Sequence, residues 1–178
     1  MGETSTDLQA KAYEFMLTHR SAALATVSKT GEPHVATVYF APRKDLSLYF
    51  STKAGGRKYD NMIANPTISM VITHDVDGEL ASLQLTGKAK RIEDIKDEQR
   101  TLFELWRLRY QPGMWPPPPM KMYERGLAPE IAVIKVTPTE MMLANFETTN
   151  HRRYRPFFEI VISKRKPRPK RAQRKTSS

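Results

Sequence analysis

Apolar side chains recur at every second residue in several short runs, and this period restricts the fold more than any other feature of the sequence. In Leu46–Ser51, leucine and phenylalanine alternate with serine and tyrosine, which is typical of a strand with one buried face. The connections are mostly short turns, as at residues 29–31 and 77–78, so neighbouring strands are predicted to be antiparallel. Six segments are predicted as strands: Ala22–Ser28, His34–Ala41, Leu46–Ser51, Thr67–His74, Leu80–Ile92 and Ile131–Val136. The predicted class is mainly β with accessory helices, and closing the sheet into a barrel would remove its edges.

Helices are predicted around this sheet. Thr6 and Gln9 fit a capping box ahead of apolar residues at helical spacing, so residues 7–18 are predicted as an amphipathic helix. Arg57–Ala64 is predicted as one short helix, and Asp97–Tyr110 as another. The proline-rich segment that follows, residues 111–119, is predicted to be neither helix nor sheet interior.

These patterns divide the chain into four predicted regions. They are an N-terminal helix packed on the barrel (residues 1–20), the barrel itself (21–146), a C-terminal extension (147–162) and a basic tail (163–178). The tail is predicted to be disordered, because its only apolar residues are Ala172 and two prolines. Within the barrel, Gly87 is expected to mark a bend or bulge and Pro138 to end the last clear strand.

Positive charge is concentrated in the tail. The chain of 178 residues has 29 Lys and Arg, 19 Asp and Glu, and a formal net charge of +10. Eight of the basic residues and none of the acidic ones lie in residues 163–178, which leaves +2 for the rest. The tail is expected either to be solvated without a specific partner or to make weak, salt-dependent contacts with nucleic acid or another anionic surface. Its basic residues are Lys164, Arg165, Lys166, Arg168, Lys170, Arg171, Arg174 and Lys175.

Several classes of protein and site are excluded or disfavoured by composition. Cysteine is absent, which excludes disulfides, thiol nucleophiles and cysteine-ligated metals. The four histidines are scattered along the chain, so no metal site is predicted. No apolar run approaches the roughly 18 residues of a membrane span. The first 20 residues contain three acidic side chains and no signal-peptide core, so we expect a cytoplasmic location.

A phosphate-binding combination of residues occurs at the end of the third predicted strand. That strand ends in two hydroxyl residues, Ser51 and Thr52, a loop with Lys53 and two glycines follows, and Arg57 and Lys58 begin the next helix. Hydroxyls, the free N–H groups of a helix start, a forked guanidinium and ammonium groups all favour a phosphate. The alternative is a solvated basic turn whose cations pair with Asp60 or with Glu residues elsewhere in the chain.

Six short segments, taken together in their order and spacing, are more specific for a protein family than any one of the segments alone. The segments are Leu24–Ser28, Gly31–Pro33, Val35–Phe40, Leu48–Thr52, Arg57-Lys58 and Asn65-Pro66. Over about residues 8–137 the chain thereby resembles the flavin-binding split-barrel superfamily, whose namesake is pyridoxamine 5′-phosphate oxidase. The resemblance implies a six-stranded antiparallel split β-barrel with peripheral helices, a homodimer, and FMN bound in clefts between the subunits.

The resemblance also implies which residues bind the cofactor. Arg57 and Lys58 match the pair that grips the flavin phosphate, and the preceding strand end and loop lie beside that phosphate. Val35–Tyr39 match the strand along which the isoalloxazine lies. A later strand supplies a polar contact to the ring edge, for which Gln84 is preferred to Ser82 as donor and acceptor. The predicted cofactor-binding residues are Val35, Thr37, Val38, Tyr39, Ser51, Thr52, Lys53, Arg57, Lys58 and Gln84.

Departures from the namesake indicate a divergent member rather than a true pyridoxamine 5′-phosphate oxidase. Ala36 and Ala41 stand where those oxidases have Arg and Lys, and the basic tail replaces their Arg-rich substrate motif. The resemblance then implies an FMN-binding oxidoreductase for an unidentified small molecule, in which the flavin supplies two-electron chemistry and no catalytic side chain is predicted. The alternative is a non-catalytic flavin- or haem-binding sensor tethered by its tail. Deazaflavin is a further alternative cofactor. His151 is expected to lie in a solvated basic segment, and the alternative is that it is the axial ligand of a haem, as in some haem-handling relatives.

Overall fold

In the part of the chain that the structure describes, eight strand segments form one antiparallel sheet, and the helices Ser5–Thr18 and Arg57–Ala64 pack against it. The computed structural model describes residues 4–76, 79–94, 96, 100–101, 131–149 and 153–163. The described elements are α1 (Ser5–Thr18), β1 (Ser21–Val27), β2 (Pro33–Tyr39), β3 (Ala41–Pro42), β4 (Leu48–Lys53), α2 (Arg57–Ala64), β5 (Thr67–Val76), β6 (Glu79–Arg91), β7 (Ile131–Thr149) and β8 (Arg153–Ser163). The predicted mainly β class is confirmed. Of the predicted helix Asp97–Tyr110, residues 100 and 101 are described and are helical. The rest of that helix, the predicted turn at 77–78, the proline-rich segment, His151 and the tail from 164 onward lie outside the described residues.

The long strand β7 makes the sheet curl. The strand order is β2-β1-β5-β6-β7-β4-β3, with β8 paired to β7. Residues 131–136 of β7 pair with β4, whereas residues 140–149 of the same strand pair with β8. One strand therefore belongs to two differently directed parts of the sheet. β2 also contacts β4 without pairing to it, which leaves the open seam of a split barrel.

A bulge allows β7 to run through a proline. The ladder between β6 and β7 shifts register at Thr86/Gly87, and Gly87 lies opposite Pro138. The bulge at Gly87 was predicted, but the expectation that Pro138 ends the strand was wrong. Proline lacks a backbone N–H, and a bulge is one of the few interior positions where the ladder tolerates that loss.

The strand β8 was not predicted from the sequence. Its segment, Arg153–Ser163, begins with alternating basic residues and contains Pro156. Neither feature gives the alternation of apolar and polar residues that predicts a half-buried strand. β8 nevertheless pairs with β7 along residues 153–163, because an available neighbouring edge can impose strand geometry on a weak local pattern.

Helix α1 starts earlier than predicted. Its N-cap is Thr4, whose Oγ1 accepts a hydrogen bond from the Asp7 N–H at 3.3 Å, while the Thr4 N–H donates to Asp7 Oδ2 at 3.0 Å. The prediction of a box between Thr6 and Gln9 was therefore wrong, since Thr6 already lies inside the helix. The helix buries Ala12 and Met16 against the sheet.

The core lies inside the curl of the sheet, and α2 covers one end of it. The helix α2 has the predicted bounds and buries Asn61 and Met62. The largest fully buried side chains of the sheet include Leu24, Phe40, Leu48, Phe50, Ile72 and Leu83. Among the described residues, no helix is both long enough and apolar enough to cross a membrane.

Candidate functional site

The loop between β4 and α2 exposes the N–H groups of a helix start. Gly55 has φ +74°, a left-handed conformation that glycine adopts without strain. Gly56 is the N-cap and has no side chain to accept from the first-turn N–H groups. Because these groups have no acceptor within the helix either, they are available to an anion.

Two cations stand at this helix start. The Arg57 side chain is exposed, and its Nη2 lies 4.0 Å from Oε2 of Glu32, a residue of the turn just before β2. Lys58 is half-buried, and Asp60 in the same first turn is exposed. The predicted phosphate-binding pair therefore lies on one helical turn, and Arg57 pairs with a glutamate from another part of the chain.

The hydroxyl residues at the end of β4 do not share a face. Successive side chains of a strand point to opposite sides, and Ser51 and Lys53 are exposed whereas Thr52 is only 7% exposed on the core side. Of the two hydroxyls, only that of Ser51 is on the solvent side of β4. The alternation of buried and exposed side chains along β4 therefore places Ser51 and Thr52 on opposite faces of the strand.

Strand β2 has a free edge. It pairs with β1 along its whole length and, in the part of the chain that is described, with no strand on its other side. Val35, Thr37 and Tyr39 lie on the exposed face of β2, whereas Val38 is buried in the core. The N–H and C=O groups of the free edge are therefore available to a ligand lying in the seam beside β4.

A groove of about 690 Å³ crosses the outer face of the sheet from β2 to β8. Small side chains of β1 line it next to β2, and two large apolar residues at its sides, Val35 and Ile160, are each 65% exposed. Further residues that line it include Ala23, Ala25, Ser69, Gln84 and Met142. Exposed apolar side chains around such a groove are typical of a ligand or protein interface.

Gln84 lies in this groove but not beside β2. Its Nε2 donates to Ser82 Oγ at 3.4 Å, and both residues are on the outer face of β6. Strands β1 and β5 separate β6 from β2, which corresponds to about 14 Å across the sheet. The structure therefore brings Arg57, Lys58 and β2 together and places Gln84 in the middle of the groove, with two strands between it and β2.

Three residues that the sequence patterns did not single out help to build the site. Glu32 contacts Arg57. Asn61 is buried in α2 and its Nδ2 donates to Thr26 Oγ1 of β1 at 3.1 Å, which fixes α2 against the sheet. Ile160 belongs to β8, which was not predicted. The contacts of Glu32 with Arg57 and of Asn61 with Thr26 each join residues more than 20 positions apart in sequence, so no local sequence pattern predicts them.

Comparison with solved structures shows the same fold at low sequence identity. A Listeria innocua protein, described as a candidate pyridoxamine 5′-phosphate oxidase, has a TM-score of 0.59 and 23% identity, over 76% of this chain and 97% of that one. Rv2991 of Mycobacterium tuberculosis has a TM-score of 0.62 and 20% identity, over 79% and 82%. The haem storage protein HutZ of Vibrio cholerae has a TM-score of 0.56 and 16% identity, over 74% and 89%.

Comparison at the level of sequence identifies the family. A search of curated proteins gives no significant match. The sequence profile of the family described as pyridoxamine 5′-phosphate oxidase matches residues 8–143, which include β1 to β6 and much of β7. The chain therefore belongs to the pyridoxamine 5′-phosphate oxidase family.

Proposed function

We propose that the chain binds FMN and acts as a flavin-dependent oxidoreductase on a small molecule. The contact between Arg57 and Glu32, at 4.0 Å, carries this proposal. It shows that the cationic start of α2 lies beside the start of β2, two features that are 24 residues apart in sequence. FMN needs both at once, because its phosphate requires cations and N–H donors and its ring requires a flat edge with hydrogen-bonding groups.

The phosphate side fits the start of α2. Arg57 would contribute a forked donor and Lys58 a point charge, and the uncapped first turn would contribute N–H groups. Ser51 and Lys53 lie on the exposed face of the adjoining strand end and extend the same donor set. Thr52 is the predicted site residue that this arrangement supports least, because its side chain is buried.

The ring side fits the seam between β2 and β4. Backbone groups along the free edge of β2 can form hydrogen bonds with the polar edge of an isoalloxazine. The exposed side chains of Val35, Thr37 and Tyr39 restrict the orientations that the ring can take. The flavin, when bound, supplies the two-electron chemistry. The chain's own residues bind it, orient it and shield one side of it from water.

A homodimer is part of the proposal. The groove on the outer sheet face leaves Val35 and Ile160 each 65% exposed. A second copy placed over this face would bury them in an isologous interface. The ring of FMN would then lie between two chains, and Gln84 in the middle of the groove would face the cofactor of the partner.

The chromophore of the purified full-length protein tests the proposal. We expect flavin absorption bands that bleach on reduction, and FMN as the mass of the molecule released by heat. Consumption of NADH or NADPH in the presence of an electron acceptor would support turnover. A protein that is colourless and does not take up added FMN would contradict the proposal.

The likeness to the haem storage protein HutZ favours a second candidate function, haem binding. Both functions use the same fold, so the spectrum of the same preparation separates them. A strong Soret band after addition of haem, with no uptake of FMN, would favour haem over flavin.

A further inference from the structure

The carboxylate of Glu32 lies beside the guanidinium of Arg57, one of the two cations that the proposed function assigns to the phosphate. Glu32 Oε2 and Arg57 Nη2 are 4.0 Å apart, and the two side chains are 70% and 60% exposed. An exposed ion pair of this kind is weak and is easily exchanged for another partner. The Arg57 guanidinium is therefore paired with a carboxylate of the chain itself, and the pair is weak enough to be exchanged for another partner.

The backbone around Glu32 is well fixed. The Glu32 N–H donates to Ser28 Oγ at 3.0 Å, and the Glu32 C=O accepts from the Ser28 N–H at 2.9 Å. Gly31 provides the positive φ, +89°, that the turn requires. The buried hydrogen bond between Asn61 and Thr26 fixes α2 on the other side. The position of Glu32 beside α2 is thus set by the turn and the helix packing rather than by the ion pair alone.

We propose that Glu32 is a specificity-determining residue that competes with phosphate for Arg57 and weakens the binding of phosphorylated ligands at this site. This inference rests on the proposed function. A bound phosphate must take Arg57 away from Glu32 and then lies close to its carboxylate, so the loss of the ion pair and the like-charge repulsion both oppose binding. A ligand without a phosphate leaves the ion pair in place and is unaffected.

The consequence concerns which ligands occupy the site. Free inorganic phosphate has only the anion contacts to offset the displacement of Glu32, whereas FMN adds the contacts of its ring. Because the displacement of Glu32 costs both ligands about the same, it lowers the affinity of FMN and of phosphate alike, relative to ligands that have no phosphate. Because both partners are exposed, salt should screen the effect.

The test compares Glu32→Gln with wild type in the full-length protein, using FMN, riboflavin and inorganic phosphate as probes. We expect FMN to bind about threefold more tightly to the variant at low salt, within the twofold to fivefold that an exposed ion pair supplies. Phosphate should compete with FMN more strongly than in wild type, and riboflavin affinity should be unchanged. The gain should shrink at high salt. Glu14→Gln, which removes the same charge from the exposed face of α1, is the matched control and should leave all three affinities unchanged.

A second variant separates competition from a structural role. In an Arg57→Ala background, Glu32→Gln should give a smaller gain in FMN affinity than it gives with Arg57 present. Unchanged or weaker FMN binding to Glu32→Gln would overturn the inference and indicate that Glu32 instead positions Arg57 for the phosphate. An equal gain for riboflavin would also overturn it. If neither wild type nor variant takes up FMN, the proposed function fails, whereas equal FMN affinity of the two overturns this inference alone.

Discussion

Single residues fix the geometry of the barrel where strands come closest. A Cβ atom at Gly87 would lie 2.7 Å from the Thr137 carbonyl oxygen and 3.1 Å from Cγ1 of Val136. Real Cβ atoms do not approach backbone that closely, and the bulge at this point brings β6 and β7 together. Gly87 is therefore required by close approach of the neighbouring strand.

The substitution Gly87→Ala tests this requirement. We expect a loss of about 1–3 kcal/mol in the free energy of unfolding, the usual cost of an overpacked site, measured by urea denaturation. Lys90→Ala, at an exposed position of the same strand, is the control and should change stability by less than about 0.5 kcal/mol. Equal stability of the two variants would contradict the close contact at Gly87.

At the scale of the elements, the sequence predicted what is locally determined and missed what neighbouring strands impose. Local patterns predicted the bounds of β1, β4, β5 and β6 to within a few residues and both bounds of α2 correctly. Each of these elements buries one face and ends at turn residues or proline. The strand β8 was missed because its pairing with β7, rather than its own pattern, makes it a strand. The path of β7 through Pro138 was missed because the bulge that permits it depends on Gly87 of another strand.

The start of α1 gives a pH-dependent prediction. Hydrogen bonds from the Thr4 side chain and backbone lower the pKa of Asp7 below its ordinary value of 3.8, with Lys11 adding a smaller effect. Because the folded-state pKa is lowered, Asp7 stabilises the helix start at pH values above 3.8, and this stabilisation is lost as the pH falls through the lowered pKa. Asp7→Asn should therefore lower the Tm at neutral pH, and the difference should disappear in acid. A difference in Tm that persists unchanged at pH 2 would contradict the role of the charge.

For the whole molecule, the family resemblance predicts a set of cofactor-binding residues, and the structure shows how far apart some of them lie. The position of Arg57 and Lys58 at the start of a helix could be predicted, because α2 is locally determined. The position of Gln84, three strands from β2, could not be inferred, because strand order depends on contacts between distant segments. The contact of Glu32 with Arg57 was missed for the same reason.

Assembly is a further property of the whole molecule. If a second copy covers the outer sheet face, light scattering of the flavin-bound protein should give the mass of a dimer at micromolar concentration. Ile160→Asp places a charge on an apolar residue of that face and should shift the protein to monomer without unfolding it, because Ile160 is 65% exposed in the single chain. A wild-type protein that binds flavin as a monomer would contradict this interface.

The ratio of FMN affinity to riboflavin affinity tests the central claim, that the start of α2 holds the cofactor phosphate. Charge-assisted hydrogen bonds contribute roughly 1.5–3 kcal/mol each, so Arg57→Ala/Lys58→Ala should weaken FMN binding by about two to four factors of ten if the two losses are near additive. Riboflavin has no phosphate, and its affinity should hardly change. We expect the ratio to fall by the same two to four factors of ten in a variant that remains folded. An unchanged ratio would show that the phosphate binds elsewhere.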